Sequence, residues 1–264
     1  MRGGFKIVIA GIVAALGVTT VASAANAAVG GVIYAVDPPA GTSLVTNEYA
    51  YWNPTLSSAV VSKDWEMNSG SLFTHDTDTG PAYWTGKIDD GNPDLLSAKY
   101  TNSAIFRMTT IRSDFLDSQT RVKVRIDNQT QTPSTPAVAW DGVHIFMRYQ
   151  SEESLYYASV ARRDGAIVIK KKCPGGPSNG GTYYTLGSTS GYRIVLGQWK
   201  WFSAAIHTNA DNSVTIDVSR IDKPVLSITD KGTGCAPITT PGKSGLRGDN
   251  SNFSFQNYRI TALS

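Results

Sequence analysis

The stretch from Val143 to Lys172 reads VHIFMRYQSEESLYYASVARRDGAIVIKKK and decides the fold. Two runs of alternating character flank the polar loop Ser151–Ser154, and the second run reaches a third through Asp164-Gly165. Asp-Gly is typical of a two-residue hairpin turn. The pattern therefore predicts three antiparallel strands, at Val143–Gln150, Leu155–Arg162 and Ala166–Lys172.

The turns also predict how these strands pair, with Tyr157 opposite Arg148 on one side and opposite Lys172 on the other. Side chains alternate across a strand, so each strand presents two faces. One face is apolar and is predicted to be core: Val143, Ile145, Met147, Tyr149, Tyr156, Ala158, Val160, Ile167 and Ile169. The opposite face carries His144, Phe146, Arg148, Gln150, Tyr157, Ser159, Lys170 and Lys172. Cations and aromatic rings gathered in this way indicate a groove for a negatively charged ligand.

The N-terminus has the composition of an export signal. Arg2 and Lys6 precede an apolar run that is too short to span a bilayer stably, and small residues follow it. We therefore expect residues 1–27 to be a signal peptide cleaved after Ala24 or Ala27, and residues 28–264 to form one secreted domain. No later apolar run reaches the length of a membrane span, so we expect an extracellular protein without a membrane partner.

Without the predicted signal peptide, the chain has a net charge close to zero. Removing Arg2 and Lys6 from the 24 basic residues leaves 22 against 21 acidic residues. This balance argues against general nucleic-acid binding, and any positive potential must be local.

Cys173 and Cys235 are the two cysteines of the sequence, and both lie in segments of loop composition. Export exposes them to oxidising conditions, which favours a disulfide over free thiols. Closing so long a loop stabilises a fold by roughly 4 kcal/mol on the chain-entropy model. Zinc binding is disfavoured because no histidine lies beside either cysteine.

Elsewhere the chain alternates between short apolar runs and clusters of Gly, Pro, Asn and Asp, with almost no helical periodicity. About 235 mature residues of this kind predict an all-β protein, a jelly-roll β-sandwich of two antiparallel sheets. We expect it to be a monomer.

Several segments resemble the concanavalin A-like lectin/glucanase superfamily: Asp64–Met67 with Gly70 and Leu72, Trp199, Val214–Asp217, Gly245–Asp249 and Phe253–Ile260. The resemblance covers most of residues 55–262. It implies a two-sheet jelly roll with the three central strands on its concave sheet. It does not select an activity, because the superfamily includes lectins, laminin-G modules, glucanases and polysaccharide lyases.

The acidic residues disfavour a glycoside hydrolase, which normally needs two carboxylates across the scissile bond. The glucanase pattern Glu-x-Asp-x-x-Glu is missing. Glu152 and Glu153 are expected to be solvated turn residues, and the strand carboxylates Glu66 and Asp217 have no identifiable partner.

Polysaccharide β-elimination needs a group that neutralises a uronate carboxylate and groups that move protons. Tyr157 could transfer the proton, and Arg148 with Gln150 could neutralise the carboxylate. His144 could act as base or orienter, while the lysines bind substrate in a groove whose predicted lining is Lys170, Lys172, Phe146 and Ser159. The Val143-His144-Ile145 segment is similar to the Gln-(Ile/Val)-His strand of jelly-roll alginate lyases. Gln150, however, lies six residues after His144 rather than two before it, and that family's Tyr-x-Lys-x-Gly-x-Tyr strand is not matched.

The sequence thus predicts a secreted protein that recognises an acidic polysaccharide, with cleavage by β-elimination left open. A non-catalytic glycan-binding module is one alternative, since Phe146 and Tyr157 offer stacking surfaces. A structural or adhesive surface protein with an ordinary solvated sheet face is another. No cofactor is expected, although structural calcium near Asp249-Asn250 or Asp89-Asp90 is left open.

Overall fold

The structure is a computed structural model that describes residues 29–88, 101–102, 104–131, 133 and 135–264. The predicted signal peptide, residues 1–27, lies outside the described residues. One short helix, α1 (Tyr49–Trp52), accompanies the strands of the described part. These strands are, in chain order, β1 (Val29–Val36), β2 (Ser43–Asn47), β3 (Trp65–Ser69), β4 (Ser71–Thr77), β5 (Gly80–Trp84), β6 (Lys87–Ile88), β7 (Thr101–Asn102), β8 (Ile105–Thr110), β9 (Ser118–Gln129), β10 (Gly142–Ser151), β11 (Ser154–Arg162), β12 (Ile167–Ser178), β13 (Gly181–Thr189), β14 (Trp199–Thr208), β15 (Val214–Arg220), β16 (Lys223–Asp230), β17 (Lys243–Asp249) and β18 (Ser251–Leu263).

Two antiparallel sheets contain nearly all of these strands. Sheet A has nine strands in the order β16-β15-β14-β9-β18-β5-β4-β2, with β1 also paired to β18. Sheet B has seven strands in the order β13-β12-β11-β10-β17-β8-β3. The small strands β6 and β7 pair with each other in parallel. The predicted jelly-roll β-sandwich is therefore confirmed.

The hydrophobic core lies between the two sheets. Val122, Val124 and Ile126 point inward from β9, and Ile145 and Met147 point inward from β10. At one end of the core, the buried Trp65 makes edge-to-face contacts with four rings, those of Tyr34, Tyr83, Phe255 and Tyr258. Edge-to-face packing of this kind places the positive ring edge against the negative ring face.

The predicted disulfide between Cys173 and Cys235 is confirmed, with Cα atoms 6.0 Å apart. It ties β12 to the irregular segment 231–242. Next to it, the fully buried Lys171 ammonium lies 2.6 Å from Asp230 Oδ2 and donates to the Cys235 carbonyl. The segment is therefore held to sheet B by a covalent bond and by the hydrogen bond from Lys171 to the Cys235 carbonyl, while the buried ion pair joins β12 to the end of β16.

The predicted strand register is wrong by two residues on both sides of β11. Tyr157 lies opposite Phe146 of β10 and opposite Lys170 of β12, rather than opposite Arg148 and Lys172. On the β12 side the turn is longer than a two-residue hairpin. Within the turn at residues 162–165, Gly165 is the one residue with a positive φ. Its N–H donates to the Arg162 carbonyl. A type I turn followed by a left-handed glycine has this form, whereas a type I′ turn needs positive φ at both central residues.

On the β10 side the cause is a bulge at Arg148, which has a φ of 44°. The bulge turns Arg148 into the molecule and Tyr149 outward, where its ring packs on Phe146 at 5.4 Å. The predictions that Arg148 lines the groove and that Tyr149 belongs to the core are therefore wrong. Arg148 is almost fully buried, and its guanidinium is held by the carbonyls of Leu116 and Ile238 and by the side chains of Asp117 and Thr208.

Candidate functional site

Six of the eight predicted site residues share the outer face of sheet B, defined here as the face that points away from sheet A. A register error of two residues leaves every other side chain on its predicted face, because side chains alternate with a period of two. The six residues are His144, Phe146, Tyr157, Ser159, Lys170 and Lys172. Arg148 points into the interior instead, and Gln150 lies at the rim, where its Nε2 donates to the Pro241 carbonyl at 2.7 Å.

A buried polar network underlies the centre of this face. The two ring nitrogens of His144 lie 2.8 Å from Ser159 Oγ and 3.0 Å from Asp249 Oδ2. The Arg247 guanidinium holds the same Asp249 carboxylate, with an Nη2–Oδ1 distance of 2.8 Å. Both nitrogens of His144 are therefore occupied by protein atoms.

Burial and charge act against each other in this network. Burial raises the pKa of Asp249, but the charge of Arg247 and the hydrogen bond from His144 outweigh it and hold that pKa below its usual range. Burial also lowers the pKa of His144, although Asp249 opposes this effect. His144 is thus a neutral, hydrogen-bonded part of the frame rather than an accessible base.

Tyr157 covers this network. Its ring meets His144 edge to face at 5.3 Å and Tyr183 at 5.5 Å. Within the described residues its hydroxyl has no hydrogen-bond partner. Burial raises the pKa of Tyr157 well above its usual value, and the nearby Arg247 offsets only part of this. The hydroxyl is therefore protonated at neutral pH, which suits a hydrogen-bond donor better than a base.

The two predicted subsite lysines differ in their surroundings. Lys172 is buried and donates to the carbonyls of Glu152 and Asn179. Lys170 is half-buried, and no described residue accepts a hydrogen bond from it or pairs with its charge. Burial lowers the pKa of Lys170, and the charges of Arg162 and Arg247 lower it further. Of these two lysines, Lys170 is therefore the one available to a ligand.

A cavity of about 190 Å³ opens beside this cluster, over β3, β8, β17 and β10. Two ion pairs line it, Glu66–Lys243 at 2.7 Å and Glu152–Arg107 at 3.1 Å. The complete lining is Tyr51, Glu66, Asn68, Arg107, Thr109, Tyr149, Gln150, Ser151, Glu152 and Lys243. The expectations that Glu152 is a solvated turn residue and that Glu66 has no partner are therefore wrong.

The sequence analysis missed Lys243, Arg247 and Asp249 as site residues. All three lie on β17, two or four residues apart, and strand alternation places them on one face. The alternation of β17 carried that signal, although the sequence indicated Asp249 only as a possible calcium ligand and Gly245–Asp249 as a mark of the fold. Tyr149 carried no such signal, because its alternation points to the core.

No group of three or more His, Cys, Asp or Glu residues in the described part of the chain is arranged to hold a metal ion. At the first calcium position left open, Asp249 is bound by Arg247 and His144. The second, Asp89-Asp90, lies outside the described residues. Within the described ranges, no helix has the length and apolar character needed to cross a membrane.

Comparison with known proteins shows similarity in structure but not in sequence. No protein-family model and no curated protein matches the chain. Among solved structures, an endo-β-1,3-glucanase from Pyrococcus furiosus superposes with a TM-score of 0.54 at 8% identity, covering 88% of this chain and 94% of the glucanase. A protein of unknown function with a galectin-like fold from Bacillus subtilis gives a TM-score of 0.50 at 10% identity, covering 75% of this chain and 89% of that protein. The protein therefore has the concanavalin A-like jelly-roll fold that its sequence motifs implied.

Proposed function

We propose that the protein binds an extracellular polysaccharide on the outer face of sheet B, and that an anionic group of the polysaccharide contacts Lys170. One observation carries this proposal. The Lys170 ammonium and the Tyr157 hydroxyl come from directly opposed residues and lack protein partners within the described residues. The charged groups around them, such as Asp249 and Arg247, are already fixed by one another. Rigidly supported sites with a few available polar groups are typical of ligand binding.

The aromatic residues of this face support a sugar ligand. Tyr157 and Tyr183 pack at the centre, and Tyr51 and Tyr149 line the adjacent cavity. Tyrosine combines an apolar ring with a polar hydroxyl, and a sugar ring likewise has both apolar and polar surfaces. The fold is shared with a glucanase, a protein named for its action on a polysaccharide. The disulfide is consistent with an extracellular location.

The charge on Lys170 supports the proposal that the ligand is acidic. The ammonium is partly removed from water and lies in the field of Arg247 and Arg162, so its charged form is disfavoured. A carboxylate or sulfate placed beside it would relieve that cost through a charge-assisted hydrogen bond. We therefore expect acidic polysaccharides to bind more tightly than neutral ones, and binding to weaken as salt is added.

We propose binding without cleavage, and three features support this choice over β-elimination. Arg148, the predicted carboxylate neutraliser, points into the interior. Both nitrogens of His144 are occupied. The raised pKa of Tyr157 makes its hydroxyl a poor base.

The test measures binding of residues 28–264 to polygalacturonate, alginate and hyaluronan, with a neutral β-1,3-glucan for comparison. Isothermal titration calorimetry reports affinity, and ultraviolet absorbance of the unsaturated product reports cleavage. We expect salt-sensitive binding to at least one acidic polymer and no rise in absorbance. A rise in absorbance would establish a lyase, and equal affinity for the neutral glucan would contradict recognition of charge.

The matched variants are Lys170→Met and Lys223→Met. A hydrogen bond to a charged group contributes about 1.5–3 kcal/mol, so Lys170→Met should weaken binding by about 10- to 100-fold. Lys223 is exposed on β16 of sheet A, and its substitution should leave affinity unchanged. Unchanged affinity in Lys170→Met would remove Lys170 from the site.

A further inference from the structure

We infer that the cavity lined by Tyr51, Tyr149 and the two ion pairs receives the terminal sugar of the polysaccharide, so that the protein binds chain ends rather than chain interiors. This inference rests on the proposed function and deepens it. At about 190 Å³ the cavity is smaller than the roughly 300–1,000 Å³ of sites for drug-sized ligands, and it suits a single sugar ring.

Helix α1 closes the cavity at the edge of the sheet. β3 is the last strand of sheet B, and a ligand running across the strands would leave the face there. α1 packs against this strand, and Trp52 Nε1 donates to the Asn68 carbonyl at 2.8 Å. The adjacent Tyr51 lines the cavity. A chain that reaches β3 therefore meets α1 instead of open solvent.

The tip of the β10–β11 hairpin closes a second side. Glu152 extends from this tip to side chains on β8 and β3, with its carboxylate 3.1 Å from Arg107 Nη1 and 2.6 Å from Asn68 Nδ2. On the opposite side, the Lys172 ammonium donates to the Glu152 carbonyl. The bulge at Arg148 lies just before this tip in β10 and shifts the register there. These contacts fix the tip beside the cavity.

The remaining side leads toward the Tyr157–Lys170 pair. Arg107, which lines the cavity, lies opposite Arg247 of β17, and Arg247 in turn lies opposite His144 beneath Tyr157. The rings of Tyr149 and Phe146, whose centroids lie 5.4 Å apart, connect the same two regions. A polysaccharide bound at Lys170 thus has a continuous surface along which its last unit reaches the cavity.

The cavity walls match sugar hydroxyls, each of which both donates and accepts a hydrogen bond. Carboxylates of Glu66 and Glu152 accept, whereas Lys243 and Arg107 donate. These four side chains remain partly exposed, between 14% and 35%, so a ligand can reach them. Because each carboxylate is paired with a cation, the walls have no net charge that would exclude the terminal unit of an acidic polymer.

The decisive test is the stoichiometry of binding to chains of different length. Size-fractionated polygalacturonate, alginate or hyaluronan, whichever binds, would be titrated by calorimetry and followed by sedimentation velocity. End recognition predicts one protein per chain at every length. If the number of bound proteins instead rises in proportion to chain length, this inference is wrong while the proposed function stands. Absence of binding to every polymer would overturn the proposed function and the inference with it.

Two variants locate the effect. Tyr51→Ala removes an aromatic wall of the cavity and should weaken binding of short chains by up to about tenfold, since an aromatic contact contributes about 0.5–1.5 kcal/mol. Trp140→Ala is the matched control, because Trp140 is an exposed aromatic residue next to the opposite end of β10. Equal affinities of Tyr51→Ala and the parent would contradict occupation of the cavity.

Discussion

Strands β9 and β10 lie in opposite sheets and contribute to the same core, but their arginine side chains lie in different surroundings. In β9 every second residue from Ser118 to Ile126 is buried, and the intervening Arg121, Lys123 and Arg125 are half-exposed on the outer face of sheet A. These cations lie against tryptophans of β14, with the Arg121 guanidinium 3.6 Å from the centre of the Trp201 ring. In β10 the first eight residues are all buried, and Arg148 leaves the alternation altogether.

The difference shows what each strand is used for. β9 keeps its alternation from Ser118 to Ile126, and its cations lie on the tryptophans of β14 at the surface of sheet A. β10 is covered on both faces, and its bulge performs two tasks at once. It places Arg148 among interior hydrogen-bond acceptors, and it moves Tyr149 and the hairpin tip to the edge of the candidate site. Bulges commonly redirect side chains beside functional sites in this way.

The largest expected effect follows directly from this contrast. Arg148→Ala should lower the free energy of unfolding by about 3–5 kcal/mol, because it leaves the partly buried carbonyls of Leu116 and Ile238 without this donor and empties the buried site of the Arg148 side chain. Arg125→Ala in β9 should cost about 1 kcal/mol or less, because its ion pair with Asp127 is partly solvated. Urea denaturation of both variants measures the difference. Similar losses in the two would show that Arg148 is not the interior anchor that its contacts indicate.

A smaller effect is expected from the coupling between Arg148 and the disulfide. The Ile238 carbonyl that accepts from Arg148 belongs to segment 231–242, which Cys235 tethers to β12. In a Cys173→Ser/Cys235→Ser background the segment is held less firmly, so Arg148→Ala should cost less than in the parent. Residues of one network typically show interaction energies of about 0.5–3 kcal/mol. Strict additivity in a double-mutant cycle would mean that the segment keeps its position without the disulfide.

The contrast also explains which parts of the structure the sequence could predict. Fold class, the disulfide and most of the outer face of sheet B follow from alternation, which survives an even shift of register. The pairing of Tyr157 does not, because the lengths of the two turns depend on details such as the φ of Gly165. The positions of Arg148 and Tyr149 could not be predicted, since the bulge reverses the local pattern. Whether the interior can accommodate the long side chain of Arg148 depends on tertiary packing, which the β-propensities of single residues do not describe.

A third expected effect concerns pH. The pKa of His144 is lower in the folded protein than in the unfolded chain, where it is about 6.5. Below pH 6.5 the histidine is therefore protonated more readily in the unfolded state, and protonation favours unfolding. Stability should therefore be fully present above pH 6.5 and fall as the solution is acidified. The contribution of one histidine has a slope of up to about 1.4 kcal/mol per pH unit. Burial lowers the pKa of His75 in the same direction, which makes it the matched control.

The measurement is urea denaturation between pH 7.5 and 4.5. His144→Gln should flatten the pH dependence strongly, and His75→Gln should flatten it less, since His75 is only partly buried. The Asp249 pKa is held low, so its contribution is lost only below about pH 4, and it should not affect this window. An unchanged slope in His144→Gln would mean that His144 is already charged in the folded protein.

The smallest expected effect has the opposite sign. Burial and the charges of Arg162 and Arg247 disfavour the charged form of Lys170, so Lys170→Met should leave stability unchanged or raise it by less than about 1 kcal/mol, a figure limited by the partial exposure of the group. Lys123→Met in β9 is the comparison, because Lys123 lies on the Trp199 ring at 5.2 Å and its loss removes a favourable contact. An anionic ligand beside Lys170 would offset the effects of burial and of the two arginines on its charged form. If Lys170→Met instead loses stability as Lys123→Met does, Lys170 supports the sheet and the central cation of the proposed site must be sought elsewhere.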